Sequence, residues 1–280
     1  MNELTRDYFR TGFRRWIRWI AIATIFAVAC GFLANWQLNR RIQVVKVIAR
    51  IDRNYDHTVS TLQDLVKNVS GFSVKYEYRP VLVSGHYLAD KALLLRNQIN
   101  DGNAGFHQLV PFAMDSGRVV VIDRGWISTG ENQDLPDSIP TVPTGKIQLV
   151  GRLIHAQQPD SRKAPIGQAM SITPPVLNKQ WGVKATDLYV GAYLRLAVES
   201  PSSASLPVLF TKPDLTEGNH LSYAFQWVLF ALLGFAAIGA NVRQDLIEKR
   251  TAEDSTYVPK PRRKRLGDSD KEEEDALLDG

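Results

Sequence analysis

A chain of 280 residues with a formal net charge of +5 and 44 % hydrophobic residues is long enough for one or two domains. Its one cysteine excludes a disulfide framework and a thiolate metal site. Its charge is no nucleic-acid footprint: residues 40–219 carry 20 basic and 16 acidic side chains, and the tail from Arg243 carries 9 and 11.

Residues 1–15 form a short basic lead, expected on the cytoplasmic side. Trp19 to Ala34 then contains no charge, and extending it to Trp16 and Trp36 gives 21 residues. At about 1.5 Å rise per residue, that length crosses a hydrocarbon core of roughly 30 Å. Arg18 is near enough to the end of the span to snorkel, and the tryptophans at both ends suit an aromatic belt. Residues 16–36 are therefore read as a first transmembrane helix. Cys30 lies inside it. Ala27-Val28-Ala29-Cys30 is faintly similar to a bacterial lipobox, but without the usual Leu the favoured reading is a small apolar residue in a retained helix.

Residues 37–75 read as a helical connector, with helical character from Leu38 to Arg53 and again from Thr61 to Lys67. From Tyr76 the pattern changes to strands, and residues 76–219 are assigned to a β domain. Val81 and Val83 open an alternating run that ends at Gly85-His86-Tyr87. Ala92 to Leu95 is a short apolar run, and Asn100-Asp101-Gly102-Asn103 is rich in turn formers. Phe106 to Phe112 and Arg118 to Asp123 are two strands joined by a hairpin turn at Asp115-Ser116-Gly117. Val119 to Ile122 is continuously apolar, as a central strand is. After the proline-marked loop at Pro136, Pro140 and Pro143, residues 147–154 alternate. A last strand is predicted from Leu188 to Val198, with Leu188, Val190, Ala192, Leu194, Leu196 and Val198 on one face. Short strands with tight turns argue for an antiparallel sheet, one that can close into a small barrel.

Leu221 to Val242 gives 22 residues without a charge, and residues 220–242 are read as a second transmembrane helix. Residues 243–280 are polar and read as a disordered cytoplasmic tail, whose basic cluster Arg262-Arg263-Lys264-Arg265 suits anionic lipid. Basic residues are balanced around the first helix. Around the second they lie after it, with only Lys212 in the twenty residues before. Both termini are therefore expected in the cytoplasm and the central domain outside, in a bacterial plasma membrane. The fold class is membrane α+β: two transmembrane helices flanking an extracytoplasmic antiparallel β domain.

The chain has no Gly-rich phosphate loop, no HExxH and no GxSxG. His86, His107 and His155 read as polar positions on outer strand faces. A hydrolytic site assembled from His107 and Asp123 is the third-ranked alternative, and no enzymatic activity is expected.

Four stretches carry a resemblance. They are Trp36-Gln37-Leu38-Asn39-Arg40; Tyr78-Arg79-Pro80-Val81 followed by Gly85-His86-Tyr87; Val121 to Ile127, with Asp123-Arg124-Gly125-Trp126 at its centre; and Asn219-His220-Leu221-Ser222-Tyr223-Ala224-Phe225-Gln226-Trp227. In this order, between two apolar helices, the chain resembles the Surfeit-locus family of cytochrome oxidase assembly factors. Asp123 stands where that family more often has Asn, and Val44 where a Lys is expected. The resemblance implies a membrane protein that helps to mature the haem-copper oxidase catalytic subunit, its partner, by assisting insertion of haem a. The alternative is a structural accessory subunit that stays on the mature complex.

His220 opens the second helix, where Asn219 is placed to cap it. A neutral imidazole there is an available axial ligand for haem iron. Tyr223 and Trp227 follow at three and seven residues and can receive a flat macrocycle. Arg40, one turn after Trp36, can pair with haem propionates. Trp36, Gln37 and Gln226 are read as interface contacts, the two amides because polar groups near an apolar boundary usually find partners. Arg124 and Trp126 are partner contacts if exposed, while Gly125 allows a bend over which Trp126 packs. Ala23, Ala27 and Gly31, with Ala236 and Ala240, are the small residues expected to let the helices pair.

Overall fold

The computed structural model describes residues 3–253, with side chains from Arg14 onward apart from Lys249 and Glu253. The elements in chain order are α1 (Glu3–Asn54), β1 (Ser60–Thr61), α2 (Leu62–Leu65), β2 (Pro80–Tyr87), β3 (Leu93–Asn100), β4 (Asn103–Met114), β5 (Val119–Ser128), β6 (Ile147–His155), β7 (Gln168–Ala169), α3 (Pro174–Trp181), β8 (Ala192–Ser200) and α4 (His220–Glu253). The chain divides into a helical unit, Met1–Ile42 with Gly218–Gly280, and a sheet unit, Gln43–Glu217.

In the helical unit, α1 and α4 each hold a stretch long and apolar enough to cross a bilayer. On α1 the covered positions are Ala23, Cys30 and Ala34, with Ala27 and Gln37 half-covered. On α4 they are Ala224, then Trp227, Ala231, Gly234 and Ile238 in part. Steps of three and four place each set on one stripe, the seam of a helix pair. The stripe differs from the expected small-residue motif. Gly31, Ala236 and Ala240 face outward, because a four-residue repeat drifts around the helix while the seam keeps an average of about 3.5.

The helices run past several of the expected limits. α1 already begins within the lead, at Glu3, and continues unbroken to Asn54. The second short helix is one turn, Leu62–Leu65, and β1 precedes it, so sheet pairing starts well before Tyr76. α4 carries the first residues of the expected tail to Glu253; the rest of that tail, residues 254–280, lies outside the described residues.

The sheet unit is one eight-stranded sheet in the order β1-β2-β6-β8-β5-β4-β3-β7, with a further pairing of β2 to β4. That pairing, Gly85 to Met114 through Tyr87 to Phe112, makes β2, β6, β8, β5 and β4 a hydrogen-bonded cycle. The sheet is mixed rather than purely antiparallel: β5 runs parallel to β8, as do β1 to β2 and β3 to β7. Hairpin logic reads only neighbours in sequence, and β5 meets β8 after a crossover of more than sixty residues.

The larger apolar cluster gathers Val81, Val83, Val110, Phe112, Val120, Ile122, Ile147, Leu149, Leu194 and Leu196, drawn from all five strands of the cycle. Val121, on the other face of β5, joins Leu95, Leu109, Leu177 and Trp181 in the second cluster, under α3. Burial on both faces is what the continuous apolar run of β5 implied.

The alternation expected from Leu188 to Val198 fails at its end. Gly151 pairs with Leu196 but Val150 with Val198, so Ala197 is the extra residue of a bulge. Beyond it the faces exchange: Val198 is 61 % exposed and Glu199 only 6 %.

Candidate functional site

In the helical unit, α4 starts at His220, and the carbonyl of Asn219 accepts the first helical bond, from Tyr223 N at 3.1 Å. The imidazole is half-buried, and its Nδ1 lies 2.8 Å from Gln37 Oε1 on α1. With the amide oxygen as acceptor, Nδ1 carries the proton. In that tautomer the lone pair is on Nε2. Gln37 thus stands to His220 as an outer-shell acceptor stands to a metal-binding histidine, fixing both tautomer and ring plane.

Around this pair, the two helices sort the remaining residues by face. Trp227 is half-buried and meets Phe230 edge-on at 5.8 Å. Tyr223 is 49 % exposed and Trp36 59 % exposed. Arg40 is exposed as well, whereas Arg41, one turn after Gln37, is half-buried on the seam face. Gln226 faces outward and makes no side-chain hydrogen bond among the described residues, so the pairing expected of both amides is met by Gln37 alone.

In the sheet unit, Arg124 is fully buried, which removes it from any contact surface. Its guanidinium donates to Glu199 Oε1 at 2.8 Å, Gln108 Oε1 at 2.7 Å, Ser203 Oγ at 2.8 Å and the Thr141 carbonyl at 3.2 Å. Tyr87 Oη donates to the other Glu199 oxygen at 2.8 Å. One arginine thereby ties β5 to β4, β8 and the segment after β8. The bulge at Ala197 is what turns Glu199 inward to receive it. Burial works to raise the Glu199 pKa, but hydrogen bonds from Ser203, Arg124 and Tyr87 outweigh it and hold the carboxyl below the usual range. Burial and the Glu199 charge push the Tyr87 phenol well above its ordinary value.

Trp126 is half-buried, with Nε1 donating to the Gln98 carbonyl at 3.3 Å. Its ring covers Gly105 of β4 and not Gly125, correcting the expected packing. Gly125 has φ +137° and lies against the backbone of Val208, where a Cβ would collide. Gly85 is equally constrained, since a Cβ there would enter the Ala113 carbonyl oxygen at the β2–β4 pairing.

His107 is not on an outer face. It is 8 % exposed, with Nδ1 3.0 Å from Asp123 Oδ2, and Asp123 is fully buried. Phe210 closes over the pair, its ring 5.0 Å from His107 and 4.7 Å from the Arg195 guanidinium. Among the described residues no serine, threonine or cysteine hydrogen-bonds to His107, so this pair lacks the nucleophile of a hydrolytic triad. No group of three His, Cys, Asp or Glu able to hold a metal ion occurs among them either.

Of the nine residues singled out from sequence, the structure brings two together, Gln37 and His220, while Tyr223 and Trp227 follow His220 along α4. The residues fit a haem to the extent of one imidazole that could hold the iron, on a helix whose next two turns carry Tyr223 and Trp227. The buried Arg124–Glu199 pair and the His107–Asp123 pair were missed as core elements; only the bulge, which no local pattern marks, would have revealed the first.

The model of the SURF1 family matches residues 24–232. A SURF1-like protein of Mycobacterium bovis is 28 % identical over 230 residues, covering 79 % of this chain and 82 % of that protein. A SURF1-like protein of Rickettsia bellii is 24 % identical over 214 residues, covering 74 % and 83 %. The cytochrome oxidase assembly protein SHY1 of Saccharomyces cerevisiae is 29 % identical over 122 residues, 42 % of this chain and 30 % of that one. The matched span takes in both halves of the Gln37–His220 pair and every strand of the sheet, and the chain belongs to the SURF1 family.

Proposed function

We propose that this protein is an assembly factor for haem-copper cytochrome oxidase. In this reading it crosses the plasma membrane twice and presents the sheet unit, as a small barrel, outside. It carries haem a on His220 on the way to the catalytic subunit. Family membership and the name of the yeast relative support the assembly role. The outward faces of the helices support the membrane placement: Ile25, Phe32, Phe225 and Leu232 are between 62 % and 72 % exposed, a surface that water would not tolerate over that length.

The observation that carries the haem reading is the hydrogen bond from His220 Nδ1 to Gln37 Oε1. When bound, the haem would be held through its iron by the imidazole of His220. Gln37 keeps the Nδ1 proton in place, so the free pair stays on Nε2 and the ring cannot turn away. Tyr223 and Trp227 supply aromatic surface on the same helix, and Arg40, exposed one turn beyond Trp36, offers its guanidinium to carboxylates at the interface. A single histidine suits a carrier, because a haem held by one side chain would be released more readily than one held by two.

The test is a titration of the purified full-length protein with haem a, read by the Soret band. The wild type is expected to give the high-spin spectrum of a haem held by one histidine nitrogen, which His220→Ala abolishes. Equal spectra from both would contradict the assignment.

A further inference from the structure

At the end of the helical unit away from His220, α1 and α4 part around a groove of about 590 Å3, within the size range of ligand pockets. Trp16, Trp19, Ile22 and Phe26 form one wall, and Gly234 and Ile238 stand on the other. Ala23 puts only a methyl group into the gap, and the Phe26 ring lies against Gly234. At its mouth, Asp245 accepts hydrogen bonds from Arg15 and from Trp16 Nε1, the latter at 2.8 Å.

We propose that this groove binds one anionic phospholipid, an acyl chain between the helices and the headgroup phosphate on Arg15. The inference rests on the reading that both helices cross a bilayer. The outer surface of both helices is apolar, so the groove opens toward acyl chains. Arg15 is 58 % exposed at the side chain although it is bonded to Asp245. That bond is made by one nitrogen of the guanidinium, and the exposure of the side chain leaves it accessible to a phosphate. Arg14 and Arg18, both exposed within a turn, add positive charge. Asp245 is the acidic wall, but two donors already occupy it, which disfavours a cationic headgroup. Basic sites between membrane helices are places where anionic headgroups bind.

The experiment uses the full-length protein, delipidated in mild detergent and re-exposed to phosphatidylglycerol or phosphatidylcholine with the same acyl chains. Native mass spectrometry counts the lipid retained. One phosphatidylglycerol per chain is expected, with phosphatidylcholine held about fivefold less tightly, the effect of one arginine. Ala237→Phe, which fills the groove, should abolish retention of both. Arg15→Gln should leave binding but remove the preference. Equal retention of the two lipids by wild type, unchanged retention by Ala237→Phe, or a second polypeptide in place of lipid would overturn the proposal. Release of the chain from membranes by alkaline carbonate would instead sink the bilayer reading on which it rests.

Discussion

Gln37 and His220 are 183 residues apart in sequence and 2.8 Å apart in space. The bond links the end of the uncharged stretch of α1 to the first turn of α4, and the tautomer it favours leaves Nε2 as the free nitrogen of the imidazole. Gln37→Leu keeps the volume and removes the acceptor. If His220 holds haem a as proposed, it should weaken that binding by about 10- to 100-fold, the usual cost of losing the partner of a ligating histidine, whereas His220→Ala should abolish it. Haem titration of the two variants side by side checks this. An unchanged affinity in Gln37→Leu would show that the bond is no part of the site.

Arg124→Met should destabilise the sheet unit by about 3–5 kcal/mol, because it leaves Glu199 buried and unpaired. The double change Arg124→Met with Glu199→Leu should recover most of that loss, since the uncompensated charge goes with it. Denaturant melts of the full-length protein in detergent measure both. If the single variant melts as the wild type does, the network is not what holds β5 to β8.

The folded pKa of Glu199 lies below its unfolded value, so the unfolded state binds the proton more readily. Its contribution to stability is then complete above about pH 4.3, the unfolded value, and lost as pH falls further through the folded value. Acid melts of wild type should show this loss, and Glu199→Gln should flatten the slope in that window. Parallel acid profiles would contradict the assignment.

Gly85→Ala should prevent the three-residue pairing of β2 to β4, because its Cβ meets backbone that cannot yield. Gly117→Ala is the control at a turn: φ is +81° but nothing lies within 4 Å, so only the modest cost of a left-handed residue, about 1 kcal/mol, is expected. Comparing melting temperatures of the two variants separates collision from strain.

The two helices were legible because length and apolarity suffice to mark them, and β5 because its unbroken run from Val119 to Ile122 is buried on both faces. The position of His220 at a helix start was equally plain. What sequence could not show were relations set by the tertiary fold. Glu199 is an alternating outward residue until the bulge at Ala197 turns it in. Arg124 then becomes a core residue, although it sits beside Trp126 in a stretch that reads as surface. His107 looks like any outward strand histidine until β4 and β5 bring Asp123 to it. The seam of the helix pair was legible at Ala23 and Ala27 but not at Gly31, Ala236 and Ala240, since a small residue does not by itself say which side of a helix meets a partner.

The central claim is tested most directly by deleting the gene in its native host and recording reduced-minus-oxidised spectra of the membranes, with His220→Ala restored on a plasmid. The account predicts loss of the a-type haem signal with b- and c-type signals kept, rescue by wild type, and no rescue by His220→Ala. An a-type signal that survives the deletion, in membranes shown to hold no second copy of the family, would contradict it.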